Sequence, residues 1–124
     1  MRYDVKTVAE LKKATQALCG FLEEAAVPKD TIYDCRLVVN ERVGNVLRHS
    51  EGEATVRGCI EKDCVEIYVS STAAYIPPTV SRCSSVTEEG GRGLYLVDSV
   101  SVSRTVTPNG EIKVVVQIKN KRAD

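Results

Sequence analysis

Three polar side chains recur at four-residue spacing in the segment Asn40-Glu41-Arg42-Val43-Gly44-Asn45-Val46-Leu47-Arg48-His49. In a helix Glu41, Asn45 and His49 fall at i, i+4 and i+8 and stack along one edge, beside Val39, Val43 and Val46. An amide carbonyl on such a rim can ligate a hard Mg²⁺ that keeps most of its water or phosphate ligands. A carboxylate one turn earlier can orient or deprotonate an attacking hydroxyl or water. The same spacing also describes a solvated helix edge. A second segment, Glu88-Glu89-Gly90-Gly91-Arg92-Gly93-Leu94-Tyr95-Leu96-Val97, leads glycines into a helix. The first turn of that helix offers free backbone N–H groups and the positive end of the dipole, a cradle for phosphate. Arg92 can add charge-assisted hydrogen bonds to phosphate oxygens. Taken alone, the segment reads more simply as a flexible connector feeding an ordinary helix. No Gly-Lys-Ser/Thr occurs, so there is no Walker A loop, and a single His leaves little for a Ser-His-Asp triad or a zinc site.

The elements that must position these residues are readable in order. Residues 2–6 suit a short edge strand. Thr7-Val8-Ala9-Glu10 has the capping-box form, and Val8, Leu11, Ala14, Leu18, Leu22 and Ala25 follow at helical spacing, which predicts a helix over residues 8–25 broken by Pro28. A second helix runs from about Asp30 to His49, with Ile32, Cys35, Val39, Val43 and Val46 as its core stripe. Alternating runs at 55–60 and 65–69, joined across Glu61-Lys62-Asp63, read as a β-hairpin. Residues 70–91 lack periodicity, and a loop of that length in a compact domain is usually functional or mobile. A short helix is predicted from Gly93 to Val100. Strands Ser101–Val106 and Glu111–Lys119 then meet at the turn signal Thr107-Pro108-Asn109-Gly110. The order β-α-α-β-β-loop-α-β-β describes an α+β two-layer sandwich, a mixed and mostly antiparallel sheet covered on one face by three helices.

Composition narrows the function. The 124 residues fit a single domain, residues 1–124, with no room for a second catalytic unit. Seventeen Lys and Arg balance 17 Asp and Glu, which removes the basic field that non-specific nucleic-acid binding needs. The cluster Lys119, Lys121 and Arg122 reads as a solvated tail. The start Met-Arg-Tyr-Asp-Val-Lys has no apolar signal region, and no apolar run approaches the ~20 residues of a membrane helix, so a cytoplasmic location is expected. Cys19, Cys35, Cys59, Cys64 and Cys83 include no C-x-x-C pair. Cys19 and Cys35 read as small core residues, and Cys59 and Cys64 flank the hairpin turn, where they could face each other.

Glu41-x-x-x-Asn45-x-x-x-His49 on a helix, then a hairpin, a long Ser/Gly-rich loop and Gly91-Arg92-Gly93-Leu94-x-Leu96-Val97 opening a helix resemble the ATP-binding domain of the gyrase, heat-shock chaperone, histidine kinase and MutL superfamily. Within it, the short chain is most similar to the anti-sigma-factor serine kinases of bacterial partner switching, over Thr7 to Lys119. The resemblance implies that Asn45 binds Mg²⁺ and the nucleotide phosphates and that Glu41 is the catalytic base, with His49 on the same nucleotide-facing edge. It implies that Gly91, Arg92, Gly93 and Leu94 hold phosphate, and that residues 79–91 form a lid over ATP. The implied partners are a sigma factor and an anti-anti-sigma (STAS-type) protein whose Ser or Thr is phosphorylated, with a homodimer by analogy.

One element departs from that pattern. The family carries Asp-x-Gly-x-Gly after the second hairpin strand, where Asp accepts a hydrogen bond from adenine and the glycines let the backbone pass close to the base. Here Ser71 stands at the Asp position, Ala73 at the first glycine and Tyr75 at the second. The strand 111–119 also lacks the family's Thr near adenine. Three readings follow: an ATP-Mg²⁺-dependent Ser/Thr kinase, a nucleotide-independent pseudokinase that regulates by contact, and a plain α+β domain without a nucleotide site.

Overall fold

The computed structural model describes residues 1–49, 53–71 and 89–118, with His49 and residues 89–94 described by their backbone alone. The chain order is β1 (Arg2–Val5), α1 (Val8–Glu24), α2 (Lys29–His49), β2 (Ala54–Glu61), β3 (Cys64–Ser71), α3 (Glu89–Val100), β4 (Ser103–Val106) and β5 (Ile112–Gln117). The strands form one sheet in the order β1-β2-β3-β5-β4. Every ladder is antiparallel, so the expected mixed sheet is corrected to a purely antiparallel one among the described residues. Each neighbouring pair runs in opposite directions because hairpins join β2 to β3 and β4 to β5, while β5 returns beside β3 with Val69 opposite Ile112.

Alternation builds the core. Ala54 and Val56, then Val65, Ile67 and Val69, then Ile112, Val114 and Val116, are buried on one face of the sheet. The intervening Arg57, Cys59, Glu66, Tyr68 and Lys113 are only partly covered, as expected for a sheet with helices on a single side. Against the apolar face pack Leu11, Ala14, Leu18 and Leu22 of α1 and Ile32, Cys35, Val38, Val39, Val43 and Val46 of α2. Helix α2 lies across β2, β3 and β5, and both α1 and α3 pack on it. Gly58 permits the close approach of helix and sheet, because a Cβ there would lie 3.0 Å from Leu18 Cδ1.

The helix ends follow from local chemistry. Thr7 Oγ1 accepts from the Glu10 N–H at 3.2 Å, and Glu10 reaches back to the Lys6 N–H at 2.7 Å, a capping box displaced by one residue on its return arm. Val8, predicted to face the core, is 76 % exposed at the first helical position. Helix α1 ends before Pro28 in a Schellman motif: Ala26 N–H donates to Glu23 O and Val27 N–H to Leu22 O, both at 3.0 Å. That motif requires a left-handed residue, and Ala26 supplies it at φ 62° without the freedom of glycine. Pro28 opens α2, since its carbonyl accepts the Ile32 N–H at 3.0 Å.

The β2–β3 turn is Lys62-Asp63, with Lys62 at φ 57°. This register sets Cys59 opposite Glu66 and Cys64 opposite Glu61, so the two cysteines are offset and do not face each other. Both are free thiols, and Cys59 Sγ lies 3.7 Å from Glu66 Oε1. In the β4–β5 turn Gly110 takes φ 86° while its N–H donates to Thr107 O, as the turn signal predicts. Among the described residues no helix is long and apolar enough to cross a membrane. Cys83 and the basic positions Lys119, Lys121 and Arg122 lie outside the described residues.

Candidate functional site

Helix α2 carries the first set of predicted site residues. Asn45 is 2 % exposed, Glu41 one turn earlier is half-buried, and Arg42 between them is fully buried. Asn45 therefore turns toward the interior of the protein, while Glu41 keeps partial access to solvent. His49 is the last residue of α2, and its side chain lies outside the described atoms.

Arg42 is the residue of this helix that motif spacing does not single out. A charged residue beside a valine stripe reads as solvated, yet Arg42 sits four residues after Val38 and four before Val46, both buried. That i±4 row is the available signal, because it places Arg42 on the apolar flank of the helix. Its guanidinium brings a permanent positive charge inside the protein one turn from Asn45.

The second set lies on α3, with one correction. The helix begins at Glu89, not at Gly93, so Gly91, Arg92, Gly93 and Leu94 are helical residues rather than a loop leading into the helix. Glu89, Gly90 and Gly91 head the first turn, where backbone N–H groups have no partner within the helix. The last three residues of the predicted lid, 89–91, are thus helical, and residues 79–88 lie outside the described residues. The C-terminal half of α3 is firmly seated. Val97 is fully buried, Ser99 Oγ donates to Leu96 O at 2.6 Å, and Ser101 Oγ donates to Val97 O at 2.8 Å. Asp98 binds the Arg104 guanidinium of β4 through both carboxylate oxygens, at 2.8 and 3.2 Å.

Because α3 packs on α2, the two predicted segments occupy neighbouring helices. Ser71 is the last residue of β3, half-buried and paired with Ala54 of β2. Ala73 and Tyr75 lie outside the described residues. A separate open groove between α1 and α2, lined in part by Lys12, Thr15, Cys19, Arg36 and Asn40, includes neither Glu41 nor Asn45.

Among the described residues no three His, Cys, Asp or Glu side chains gather into a metal cluster. One neutral amide oxygen at Asn45, nearly withdrawn from solvent, fits a hard cation that takes most of its ligands from water and phosphate.

An antiparallel sheet with one helix layer, a Glu/Asn edge on α2 and a glycine-bearing helix packed beside it define an α+β sandwich of the ATPase type. A family model described as the histidine kinase-like ATPase domain matches residues 5–118, and the chain belongs to that family. No curated protein matches the chain. Membership associates the fold with nucleotide binding, often with Mg²⁺.

Proposed function

We propose that the chain is a regulatory ATP-Mg²⁺-binding domain of the anti-sigma-factor serine kinase type, which phosphorylates a Ser or Thr of a STAS-type anti-anti-sigma partner in the cytoplasm. The observation that carries this reading is Asn45, a polar amide 2 % exposed on the helix that packs against α3, one turn after Glu41. Asn45 would hold the metal through its amide oxygen, and the first turn of α3, with Arg92, would hold the phosphates. When bound with the nucleotide, Mg²⁺ supplies neutralisation of charge on the β- and γ-phosphates. Glu41 would accept the proton of the attacking hydroxyl as its oxygen bonds to the γ-phosphorus and the bond to the β,γ-bridging oxygen breaks, releasing ADP.

Calorimetric titration with ATP, ADP and GTP in the presence of Mg²⁺ tests binding, and transfer of labelled γ-phosphate to a purified STAS-domain protein tests the reaction. Binding that Asn45→Ala abolishes, with transfer that Glu41→Gln abolishes, supports the proposal. No heat at millimolar ATP and Mg²⁺ rejects it.

A second reading is favoured by Ser71. At the end of β3 it replaces the carboxylate that the family resemblance would place against adenine, and losing a charged acceptor from a buried base contact forfeits ~1.5–3 kcal/mol, roughly ten- to a hundredfold in affinity. Under that reading the chain is a nucleotide-independent module that controls a sigma factor or its antagonist by contact. Equal capture of such a partner with and without ATP, unaltered by Asn45→Ala, distinguishes it from the kinase.

A further inference from the structure

Ser71 follows buried Val69 by two residues, so it belongs to the face of β3 on which α2 lies. Only residues 50–53 separate the end of α2 from Ala54, and Ala54 is the cross-strand partner of Ser71. The C-terminal half of α2 therefore stands over the end of β3, and Arg42, Asn45 and Ser71 share one end of the sandwich. Arg42 is fully buried there, on the apolar row of Val38 and Val46, where α2 packs on the sheet. The phosphate-holding groups proposed above, Asn45 and the first turn of α3, belong to the other flank of the same helix. Arg42 thus falls on the side of the base.

A base-binding site is selective through its donors and acceptors. Adenine offers an amino donor beside a ring acceptor, and an acceptor such as a carboxylate reads that donor. A guanidinium carries five N–H donors and no acceptor, and it keeps its charge when buried. Set against the adenine amino group it opposes donor to donor, and a buried donor left without its bond is costly. Guanine and hypoxanthine carry the acceptor O6 where adenine carries that amino group. O6 and N7 together form the acceptor pair that a guanidinium takes with two N–H groups. The other N–H groups then hold the guanidinium to the protein, so reading a base does not require the side chain to give up its anchorage. The Ser71 hydroxyl both donates and accepts and opposes neither base. A buried arginine and a serine in place of a carboxylate therefore alter the site in the same direction.

We propose that Arg42 determines the base specificity of the nucleotide site and selects a 6-oxopurine nucleotide, GTP or ITP, over ATP. This inference rests on the nucleotide-binding reading above, keeps its phosphate and metal half, and names the base. ATP remains a weaker ligand of the same site, held through its phosphates.

Calorimetric titration of the full chain with GTP, ITP and ATP, each with Mg²⁺, tests it. The expected result is that GTP and ITP bind alike and about tenfold or more tighter than ATP. 7-Deaza-GTP, which lacks the N7 acceptor, should lose most of that advantage. Arg42→Met replaces the guanidinium with an apolar chain on an apolar row, a change that buried charges tolerate, and should level the three affinities. Ser71→Asp restores the acceptor and should raise ATP relative to GTP, which keeps the proposal testable should Arg42→Met fail to fold. A wild-type chain that binds ATP as tightly as GTP overturns the proposal and leaves the nucleotide-binding reading intact. A GTP preference that survives Arg42→Met also overturns it. Equal weakening of all three nucleotides in Arg42→Met overturns it in favour of a phosphate contact. No heat with any of the three rejects the nucleotide-binding reading and this inference with it.

Discussion

Asp98 in the last turn of α3 grips Arg104 of β4 with both carboxylate oxygens, at 2.8 and 3.2 Å, and so fastens the glycine-bearing helix to the edge of the sheet. The pair is neither fully exposed nor sealed, with side-chain exposures of 33 % for Asp98 and 9 % for Arg104. Removing one partner leaves a charged group poorly hydrated, which costs far more than loss of a surface ion pair. Asp98→Asn should therefore lower the unfolding free energy by about 2 kcal/mol in urea titrations. A change within about 0.5 kcal/mol would mean that α3 is seated by Val97 and its serine caps alone.

Glu41 and Asn45 should separate kinetically. With the proposed roles, Glu41→Gln lowers phosphoryl transfer by about 10²–10⁴-fold while leaving the ATP-Mg²⁺ affinity within about twofold. Asn45→Ala should instead abolish the Mg²⁺-dependent part of binding. Equal loss of binding in both variants would remove Glu41 from the role of base.

Cys35 should make the protein sensitive to alkali. Burial pushes this thiol up from its usual 9.0 to about 12, with the nearby Asp34 acting in the same direction. Between those values the unfolded chain loses the thiol proton while the folded chain keeps it, so stability is full below pH 9 and falls as pH rises toward 12. The slope from this one group is about 1.4 kcal/mol per pH unit. Denaturation of Cys35→Ala at pH 8 and pH 11 should show that slope reduced by one proton relative to the parent. Alkylation at pH 8 should reach Cys35 only after unfolding.

Two substitutions that exchange alanine and glycine should both stabilise. Gly20 lies within α1 with nothing within 4 Å of the position a Cβ would take, so Gly20→Ala should gain about 0.5–1 kcal/mol from helix propensity. Ala26 holds a left-handed backbone at φ 62°, so Ala26→Gly should gain a similar ~0.5–1 kcal/mol by relieving that strain. Gly58→Ala is the contrasting control. The 3.0 Å approach to Leu18 Cδ1 should make it destabilising in the same thermal melts.

The legible features are those written in local chemistry. The Thr7/Glu10 cap, the Thr107–Gly110 turn, and the stripe Ile32, Cys35, Val39, Val43 and Val46 each combine a spacing with a residue type that admits few readings, whereas the β2–β3 turn is one residue shorter than the Glu61-Lys62-Asp63 span read from the sequence. Tertiary context decides the rest. Glycines at 90, 91 and 93 argue locally against helix, yet α3 runs through them, anchored from its far end by buried Val97 and the Asp98–Arg104 pair. Arg42 is hidden because charge outweighs periodicity when a side chain is judged alone. The offset of Cys59 from Cys64 is a matter of register, which a one-residue difference in turn length controls. For the site, residue types and helix are readable, but the withdrawal of Asn45 from water depends on packing that no spacing encodes.

The pairing of Val69 with Ile112 has a consequence for how this fold can vary over evolutionary time. It closes the chain on itself around α3, so everything inserted between Ser71 and Glu89 hangs from a clasp that the core already provides. The entropy of closing a loop grows only with the logarithm of its length, about 0.6 kcal/mol per doubling. A longer or shorter interval should therefore cost the fold little, because the register of the buried valines of β3 and β5 is fixed by their own ladder.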